Sequence, residues 1–249
     1  MAGHSKWSNI KHKKERSDAQ KGKIFTKLGR ELAVAVKQGG SDPSINSRLR
    51  DAIAKARSFN MPNDTISRSI KRAAGELDNV NYEEITYEGY GPGGVAVIVE
   101  AVTDNRNRTA GEMRYIFDRA GGSLGESGCV AWMFDRKGLL VVEKDIPLTE
   151  DDLMMEALEA GAEDIETLDD VYEIYTDPAS FSSVREALEA KGLKFVSAGI
   201  EMIPQNTVLV EDIDQAKKLI KLIDAFEDHD DVQNVYANFN IPDEIMENL

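Results

Sequence analysis

Residues 139–203 decide the fold, and they contain LLVV (139–142), EDDLMMEALEA (150–160), VYEIY (171–175), FSSVREALEA (181–190) and KFVSAGIEMI (194–203). The first, third and last of these have the length and apolar content of strands, and the other two have helical spacing. A further short strand is expected around Ile165. The order is therefore βαββαβ, the split βαβ arrangement of ferredoxin-like folds, and it closes on itself near Pro204.

The flanking segments predict a second α+β domain that this unit interrupts. Before the unit, the expected elements are a strand (Glu84–Glu88), a glycine turn (Gly91–Gly94), a strand (Val95–Val102), a helix capped by Thr109 and Glu112, and a strand (Cys129–Phe134). After it, only one helix (Asp214–Glu227) and one strand (Val232–Phe239) remain, which are too few for a domain. We therefore expect these two to return to the sheet of residues 82–134.

The N-terminal third carries the periodicity of three amphipathic helices, which predicts a small helical bundle. Gly39-Gly40 ends the first helix, and Ser44 is expected to cap the second. Pro62 starts the third, which Gly75 closes. The expected inward residues are Ile24, Leu28, Leu32 and Ala35 on the first helix, Ile45, Leu49, Ile53 and Ala56 on the second, and Ile66, Ile70, Ala73 and Ala74 on the third.

These patterns predict an α+β protein with three parts. Residues 1–79 form a basic arm and a three-helix bundle. Residues 80–135 together with 205–249 form a discontinuous α+β domain. Residues 136–204 form a ferredoxin-like α+β domain inserted into it.

The charge of the chain is divided unevenly between its two ends. Residues 1–75 hold 17 of the 30 lysines and arginines but only 6 of the 45 acidic residues, which gives a formal charge of +11. The rest of the chain carries −26, so the net charge is −15. Because lysine and arginine displace counterions from a phosphate backbone, the basic end predicts a nucleic-acid partner, and the acidic remainder would be repelled by it.

The residues expected to contact nucleic acid lie in the arm and on the helices. Trp7 can stack on an unpaired base while the cations around it follow the phosphates, or it can anchor the arm on the bundle. On the helices, basic side chains lie opposite the apolar stripes, where an ordinary solvated face is the alternative. The predicted contacts are Lys6, Trp7, Lys11, His12, Lys13, Lys14, Arg16, Lys21, Lys23, Lys27, Arg30, Arg68, Lys71 and Arg72.

Three further motifs have a structural and a functional interpretation. Arg106 and Arg108 lie at an expected helix N-terminus, where they either bind an anion or pair with nearby carboxylates. Gly89–Gly94 matches G-x-G-x-x-G, but a strand rather than a helix follows, so a turn is predicted. The glycine-rich loop Gly121–Gly128 lacks the ending of a phosphate-binding loop and is interpreted as a connector, with a flexible contact loop as the alternative.

No motif for catalysis or for a cofactor is found in the sequence. Cys129, the single cysteine, has apolar neighbours that fit an unreactive buried thiol. His229 lies among Asp228, Asp230 and Asp231, which could suggest a metal, although a solvated turn after a helix explains them. We predict a non-enzymatic protein with no cofactor, metal or obligatory small molecule. A cytoplasmic location without membrane contact is expected, and the oligomeric state is left open.

The opening GHSKWSNIKHKK (3–14), followed by DAQKGK (18–23), resembles the start of the YebC/PmpR proteins. That family includes the mitochondrial translational activators of cytochrome oxidase. YEGYGPGG (87–94) and TDNRNRT (103–109) resemble its second and third blocks, and the resemblance extends over essentially the whole chain. It implies a three-domain bacterial regulator of gene expression with a helical N-terminal domain and no catalytic residues to carry over.

Two functions remain open at this point. The first is a DNA-binding transcriptional regulator that acts through the arm and the bundle, although neither helix-turn-helix spacing nor a dimer zipper is evident. The alternative is a ribosome- or rRNA-associated translation factor that relieves stalling, for which a basic arm with an aromatic side chain is suited. Both interpretations share the prediction of nucleic-acid binding.

Overall fold

A computed structural model describes residues 18–76, 81–168, 170–246 and 249 of the chain. Up to the first long strand of the inserted unit, the elements are α1 (Asp18–Gly39), α2 (Ser47–Ser58), α3 (Asn63–Lys71), a π-helical turn (Arg72–Glu76), β1 (Glu83–Tyr90), β2 (Ala96–Thr103), α4 (Arg106–Arg119), β3 (Ser123–Leu124) and β4 (Phe134–Glu143). They continue with α5 (Glu150–Ala160), β5 (Asp164–Thr167), β6 (Val171–Thr176), α6 (Phe181–Ala190), β7 (Ser197–Pro204), β8 (Val208–Leu209), α7 (Ile213–Glu227), β9 (Val232–Ala237), β10 (Phe239–Asn240) and α8 (Asp243–Met246).

The chain divides into two compact units. The core unit comprises the described residues up to Phe134 together with Pro204–Leu249, and the inserted unit is Asp135–Ile203. The predicted α+β class is confirmed, since helices and antiparallel sheets occur together. No helix among the described residues combines the length and the apolar character needed to cross a membrane.

The three N-terminal helices bury Leu32, Leu49 and Ile66 in a shared apolar cluster. The prediction that Ser44 caps the second helix is wrong, because Asn46 is the cap. The Asn46 side chain accepts the Leu49 N–H at 3.0 Å, and its amide also donates to the Ala35 carbonyl at 2.8 Å. One buried amide thus joins the end of α1 to the start of α2.

Two residues expected to face the bundle core are exposed instead. Because α2 begins at Ser47, Ile45 lies before the helix and is 79% exposed. Ala74 is also exposed, since the regular helix gives way to a π-helical turn in which Gly75 has a φ of 98°. A left-handed residue at this point ends the helical pattern at little cost for glycine.

The sheet of the core unit has the strand order β3-β1-β2-β9. β1 and β9 both pair antiparallel with β2, whose residues are almost all buried. Helices α4 and α7 contribute to the same apolar cluster as this sheet, with Phe117 and Phe226 in edge contact at 4.8 Å between ring centroids. The cluster fixes the C-terminal end of α7 close to the end of β2.

Two local predictions in the core unit are wrong. Helix α4 is capped by Asn105, whose side chain accepts the Arg108 N–H at 3.1 Å, and not by Thr109, which is buried. Cys129–Phe134 is not a strand, because residues Ala131–Met133 form a 3-10 turn. The short strand β3 lies instead inside the glycine-rich loop, where it pairs with β1.

The inserted unit has the strand order β5-β6-β4-β7, with β4 and β5 antiparallel to β6. Its core is formed by the inner faces of the sheet and of helices α5 and α6, and includes Leu140, Leu153, Ile174 and Leu188. The element order and strand order are those of a split βαβ unit.

Candidate nucleic-acid interface

Two groups of cations in the helical part differ in what they contact. Lys23, Lys27 and Arg30 on α1 bind the C-terminal end of α7 and the turn after it, and are called here the core-facing cations. Arg57, Arg68 and Lys71 are exposed and form no ion pair with any residue that the structure describes; they are called the outward cations.

The core-facing cations lie on one side of α1 because their spacing of four and three residues is helical. Lys27 donates to the Glu227 carbonyl at 2.5 Å, and Arg30 donates to the Asp230 carbonyl at 2.6 Å. Lys23 reaches the Asp228 carboxylate at 3.3 Å. Cations at these positions satisfy free carbonyls and complement the negative end of the helix dipole. The basic face of α1 therefore holds the helices against the core.

Asp231 is the centre of this contact. Its side chain is 4% exposed and accepts hydrogen bonds from Arg30 at 2.7 Å and from Arg108 at 2.8 Å. The hydroxyls of Thr103 and Thr109 donate to the same carboxylate at 3.2 and 2.8 Å. A buried carboxylate is stable only when such partners replace its water, and here four donors do so.

The surroundings of Asp231 favour its ionised form. Burial by itself would raise the pKa of this carboxyl group, but the hydrogen bonds from Arg108, Thr109 and Arg30 outweigh it and lower the pKa to about 2. The same contact with Asp231 holds the pKa of the Arg108 guanidinium above its ordinary value. Asp231 and Arg108 thus remain charged throughout the neutral range.

Glu112, His229 and Asp231 place one potential ligand atom each within 4.8 Å of one another. The His229 ring is already engaged on both sides, because Nδ1 accepts the Asp231 backbone N–H at 3.1 Å and Nε2 lies 2.9 Å from Glu112. Asp231 is neutralised by two arginines. These contacts account for the three side chains as a hydrogen-bonded group, so no metal is assigned to them.

The side chains of two outward cations, Arg57 and Arg68, reach the first turn of α3. Arg57 Nε donates to the Asn63 side chain at 3.3 Å, and Arg68 donates to the Asp64 carbonyl at 3.3 Å and to the Thr65 hydroxyl at 3.3 Å. Lys71 follows one turn later on the exposed side. Two guanidinium groups near the positive end of a helix create a local surface suited to phosphate.

The two arginines of the DNRNRT block behave differently. Arg108 pairs with carboxylates, at 3.0 Å to Asp104 and 2.8 Å to Asp231. Arg106 is exposed and forms no ion pair within the described residues. Pairing with carboxylates therefore accounts for Arg108, while anion contact at Arg106 stays a prediction.

The remaining predicted contacts are placed as follows. Lys21 and Arg72 are exposed. The arm residues lie outside the described residues; they are Lys6, Trp7, Lys11, His12, Lys13, Lys14 and Arg16. Arg57 is not among the contacts that the sequence predicts, because it lies on the flank of α2, although it is basic and lies in the last turn of that helix.

The glycine-rich loop is held in place by Glu88, whose role the sequence did not indicate. The Glu88 side chain is buried and accepts backbone N–H groups of Gly128, Val130 and Ala131 at 2.7–2.9 Å. Three bonds to one carboxylate explain why this segment turns instead of extending. Trp132 follows the loop and is 67% exposed, with its ring N–H donating to the Cys129 carbonyl at 3.1 Å.

Comparison with known proteins identifies relatives over nearly the whole chain. Residues 5–76 match the model of the TACO1/YebC protein N-terminal domain, and residues 82–239 match that of the TACO1/YebC second and third domain. A protein of Acetivibrio thermocellus named probable transcriptional regulatory protein is 63% identical over 96% of this chain and 99% of its own length. A protein of the same name from Halothermothrix orenii is 58% identical over 100% and 99%. The crystal structure of a conserved hypothetical protein, Aq1575, from Aquifex aeolicus has a TM-score of 0.84 and 49% identity, and the match covers 92% of this chain and 94% of that one.

Proposed function

Since the chain belongs to the TACO1/YebC family, as the YebC/PmpR resemblance predicted, we propose that it is a non-enzymatic, nucleic-acid-binding regulator of gene expression. In this proposal it is a cytoplasmic DNA-binding transcriptional regulator that acts through its basic N-terminal arm and helical bundle. The name shared by its relatives, probable transcriptional regulatory protein, supports this direction.

The observation that carries the proposal is the group of outward cations. Arg57, Arg68 and Lys71 are exposed on the part of the chain that has a charge of +11, without carboxylate partners among the described residues. Other cations of the helical part do pair with carboxylates, as Arg48 does with Glu84 and Lys55 with Glu31 at 3.1 Å. Unpaired cations on an exposed surface bind phosphate oxygens without reading sequence.

The proposal is tested by the salt dependence of binding to a DNA duplex. Replacing Arg57, Arg68 and Lys71 together with alanine removes three phosphate contacts. The slope of log K against log salt should then fall by about 2–3, since each contact contributes about 0.9 on duplex DNA. The matched control replaces three exposed lysines of α7, Lys217, Lys218 and Lys221, which should leave the slope unchanged. Equal slopes for the two triple variants would contradict the proposal.

The arm is tested separately, because its contribution adds to that of the helices. Replacing Lys11, Lys13 and Lys14 with alanine should lower the slope by a similar amount, and an unchanged slope would remove the arm from the interface. Stacking by Trp7 is measured by fluorescence in a Trp132→Phe background. Nucleic acid that leaves the Trp7 emission unchanged would contradict stacking.

The core-facing cations give the proposal a regulatory aspect. Lys23, Lys27 and Arg30 are predicted nucleic-acid contacts, and in this structure they bind the end of α7 and its acidic turn. Phosphates that compete for them would have to displace these contacts. If so, residues 1–79 alone should bind DNA more tightly than the full chain, and equal binding would remove the competition from the proposal.

A translation factor is the second candidate, and the same cations favour it because rRNA presents the same phosphate backbone. A competition distinguishes the two. Labelled protein is mixed at near-physiological salt with purified ribosomes and excess genomic DNA fragments, and co-sedimentation is measured. Retention on ribosomes would replace DNA by rRNA as the target. Transfer to a reproducible subset of DNA fragments would support transcriptional regulation.

A further inference from the structure

The outer face of helix α5, in the inserted unit, exposes an apolar stripe. Met155 is 63% exposed, Leu158 51% and Met154 39%. The spacing of these residues places them on one side of the helix, and Leu153 and Ala157 on the side that is buried in the unit's core. The three exposed residues are called the methionine stripe. Neighbouring exposed apolar side chains of this size mark a site of interaction more often than isolated ones.

Acidic residues border the methionine stripe. Glu150 and Asp151 lie one turn before it, and Glu159 lies beside it. The whole inserted unit, Asp135–Ile203, contains 18 acidic and 6 basic residues, a formal charge of −12. Two of its lysines are already paired, Lys137 with Glu163 at 2.7 Å and Lys191 with Glu159 at 3.8 Å. The stripe is therefore an apolar surface in a strongly negative field.

This field selects what can cover the stripe. A nucleic acid or an anionic membrane would be repelled by it, and so would a second inserted unit of the same charge. A segment with an apolar side and basic flanks is attracted by the acidic residues that border the methionine stripe, the acidic rim, and it buries its apolar side on the stripe. Methionine suits such a role because its unbranched, polarisable side chain adapts to differently shaped apolar partners.

We propose that the methionine stripe of α5 is a docking surface for a basic amphipathic helix of a protein partner. The partner's apolar residues, spaced three and four apart, pack on Met154, Met155 and Leu158, and its lysines or arginines face the acidic rim. The surface lies in the inserted unit and involves none of the proposed nucleic-acid contacts. The two proposals can therefore be tested independently.

The test uses a defined probe, an 18-residue peptide of leucine and lysine arranged as an amphipathic helix. Its control has the same composition with the leucines distributed around the helix. Fluorescence anisotropy measures the binding of each labelled peptide to the full-length protein. Replacing both Met155 and Leu158 with serine should weaken binding of the amphipathic peptide about tenfold. Leu209→Ser, at an apolar residue of the core unit that is 55% exposed, should leave it unchanged.

Several results would overturn the proposal. Equal binding by the wild-type protein and the double serine variant would show that only general charge attraction is at work. Equal binding of the two peptides would exclude recognition of an apolar helix face. Sedimentation that shows a dimer of the wild-type protein and a monomer of the variant would assign the stripe to a second copy of this chain. Because the replaced residues are exposed, circular dichroism should show both variants folded.

Discussion

Replacing Asp231 with asparagine tests whether the contact between the helical bundle and the core depends on one buried charge. The substitution keeps the size of the side chain but removes the charge that Arg30 and Arg108 share. The pKa of Asp231 is lowered from an ordinary 3.8 to about 2. A change of one in pKa between the unfolded and folded states corresponds to about 1.4 kcal/mol of folding free energy. The shift therefore corresponds to at most about 2.5 kcal/mol at neutral pH. Because Arg108 is 43% exposed, solvent screening reduces the expected loss to about 1–2 kcal/mol.

The loss has a defined dependence on pH. The folded-state pKa lies below the unfolded-state pKa, so the ionised carboxylate stabilises the protein fully above about pH 4. The stabilisation falls to about half at pH 3 and disappears as the pH decreases through 2. The difference between the wild-type protein and Asp231→Asn should shrink in the same range.

The assay is urea unfolding of the full-length protein at pH 7 and at pH 3, followed by circular dichroism. Hydrogen exchange of residues 226–240 assigns the effect to the core unit, since the chain has two compact units that can unfold separately. Asp228→Asn is the matched control, because Asp228 is 77% exposed and its pair with Lys23 should contribute less than about 0.5 kcal/mol. Equal stability of the two variants, or a difference from wild type that is the same at both pH values, would refute the stabilising role of the Asp231 charge.

Three further predictions concern the loop, the two glycine environments and the thiol. Glu88→Gln should lower the free energy of unfolding by about 1–3 kcal/mol and accelerate hydrogen exchange in the glycine-rich loop, because three backbone N–H groups share that carboxylate. The control Glu83→Gln, on the exposed start of β1, should change neither quantity. Gly138→Ala should lower the thermal stability of the inserted unit by about 1–3 kcal/mol, because a Cβ there would lie 2.8 Å from a core phenylalanine. Gly111→Ala, where a Cβ meets open space on helix α4, should instead stabilise by about 0.5–1 kcal/mol, and calorimetry that ranks the two variants equally would contradict both estimates. Burial and the nearby Glu88 carboxylate raise the pKa of Cys129, so its thiol should react with Ellman's reagent more slowly than glutathione at pH 8 and should lose that protection in urea.

Sequence patterns predicted those features of the fold that depend on periodicity within a segment. The apolar stripe of α1, the hairpin of β1 and β2, and the helix–strand order of the inserted unit all repeat at fixed spacings. The wrong predictions fall where two suitable residues compete or where a distant group decides. Ser44 and Asn46 can both cap a helix, and only the buried amide of Asn46 also reaches the Ala35 carbonyl.

The candidate site shows the same division. Helical spacing placed Lys23, Lys27 and Arg30 on one face, but their partners follow about 200 residues later in the chain. Spacing along a helix identifies neighbours on that helix and says nothing of a carbonyl group brought close by the tertiary fold. For the same reason no sequence pattern indicates that Thr109 and Asp231 meet, or that Glu88 holds a loop 40 residues away.

The hydrogen bond between the Gln205 N–H and the Met133 carbonyl, at 2.9 Å, joins two residues of the core unit that each lie two positions from an end of the inserted unit. The chain therefore departs and returns at a single place, with β4 and β7 as neighbours in one sheet. For the core unit, the 69 residues of the inserted unit are topologically equivalent to a long surface loop whose two ends are held together. Lengthening such a loop adds little to the entropic cost of closing it. A different module can therefore replace the inserted unit at this junction, in evolution or by design, while the hydrophobic core of the core unit stays intact.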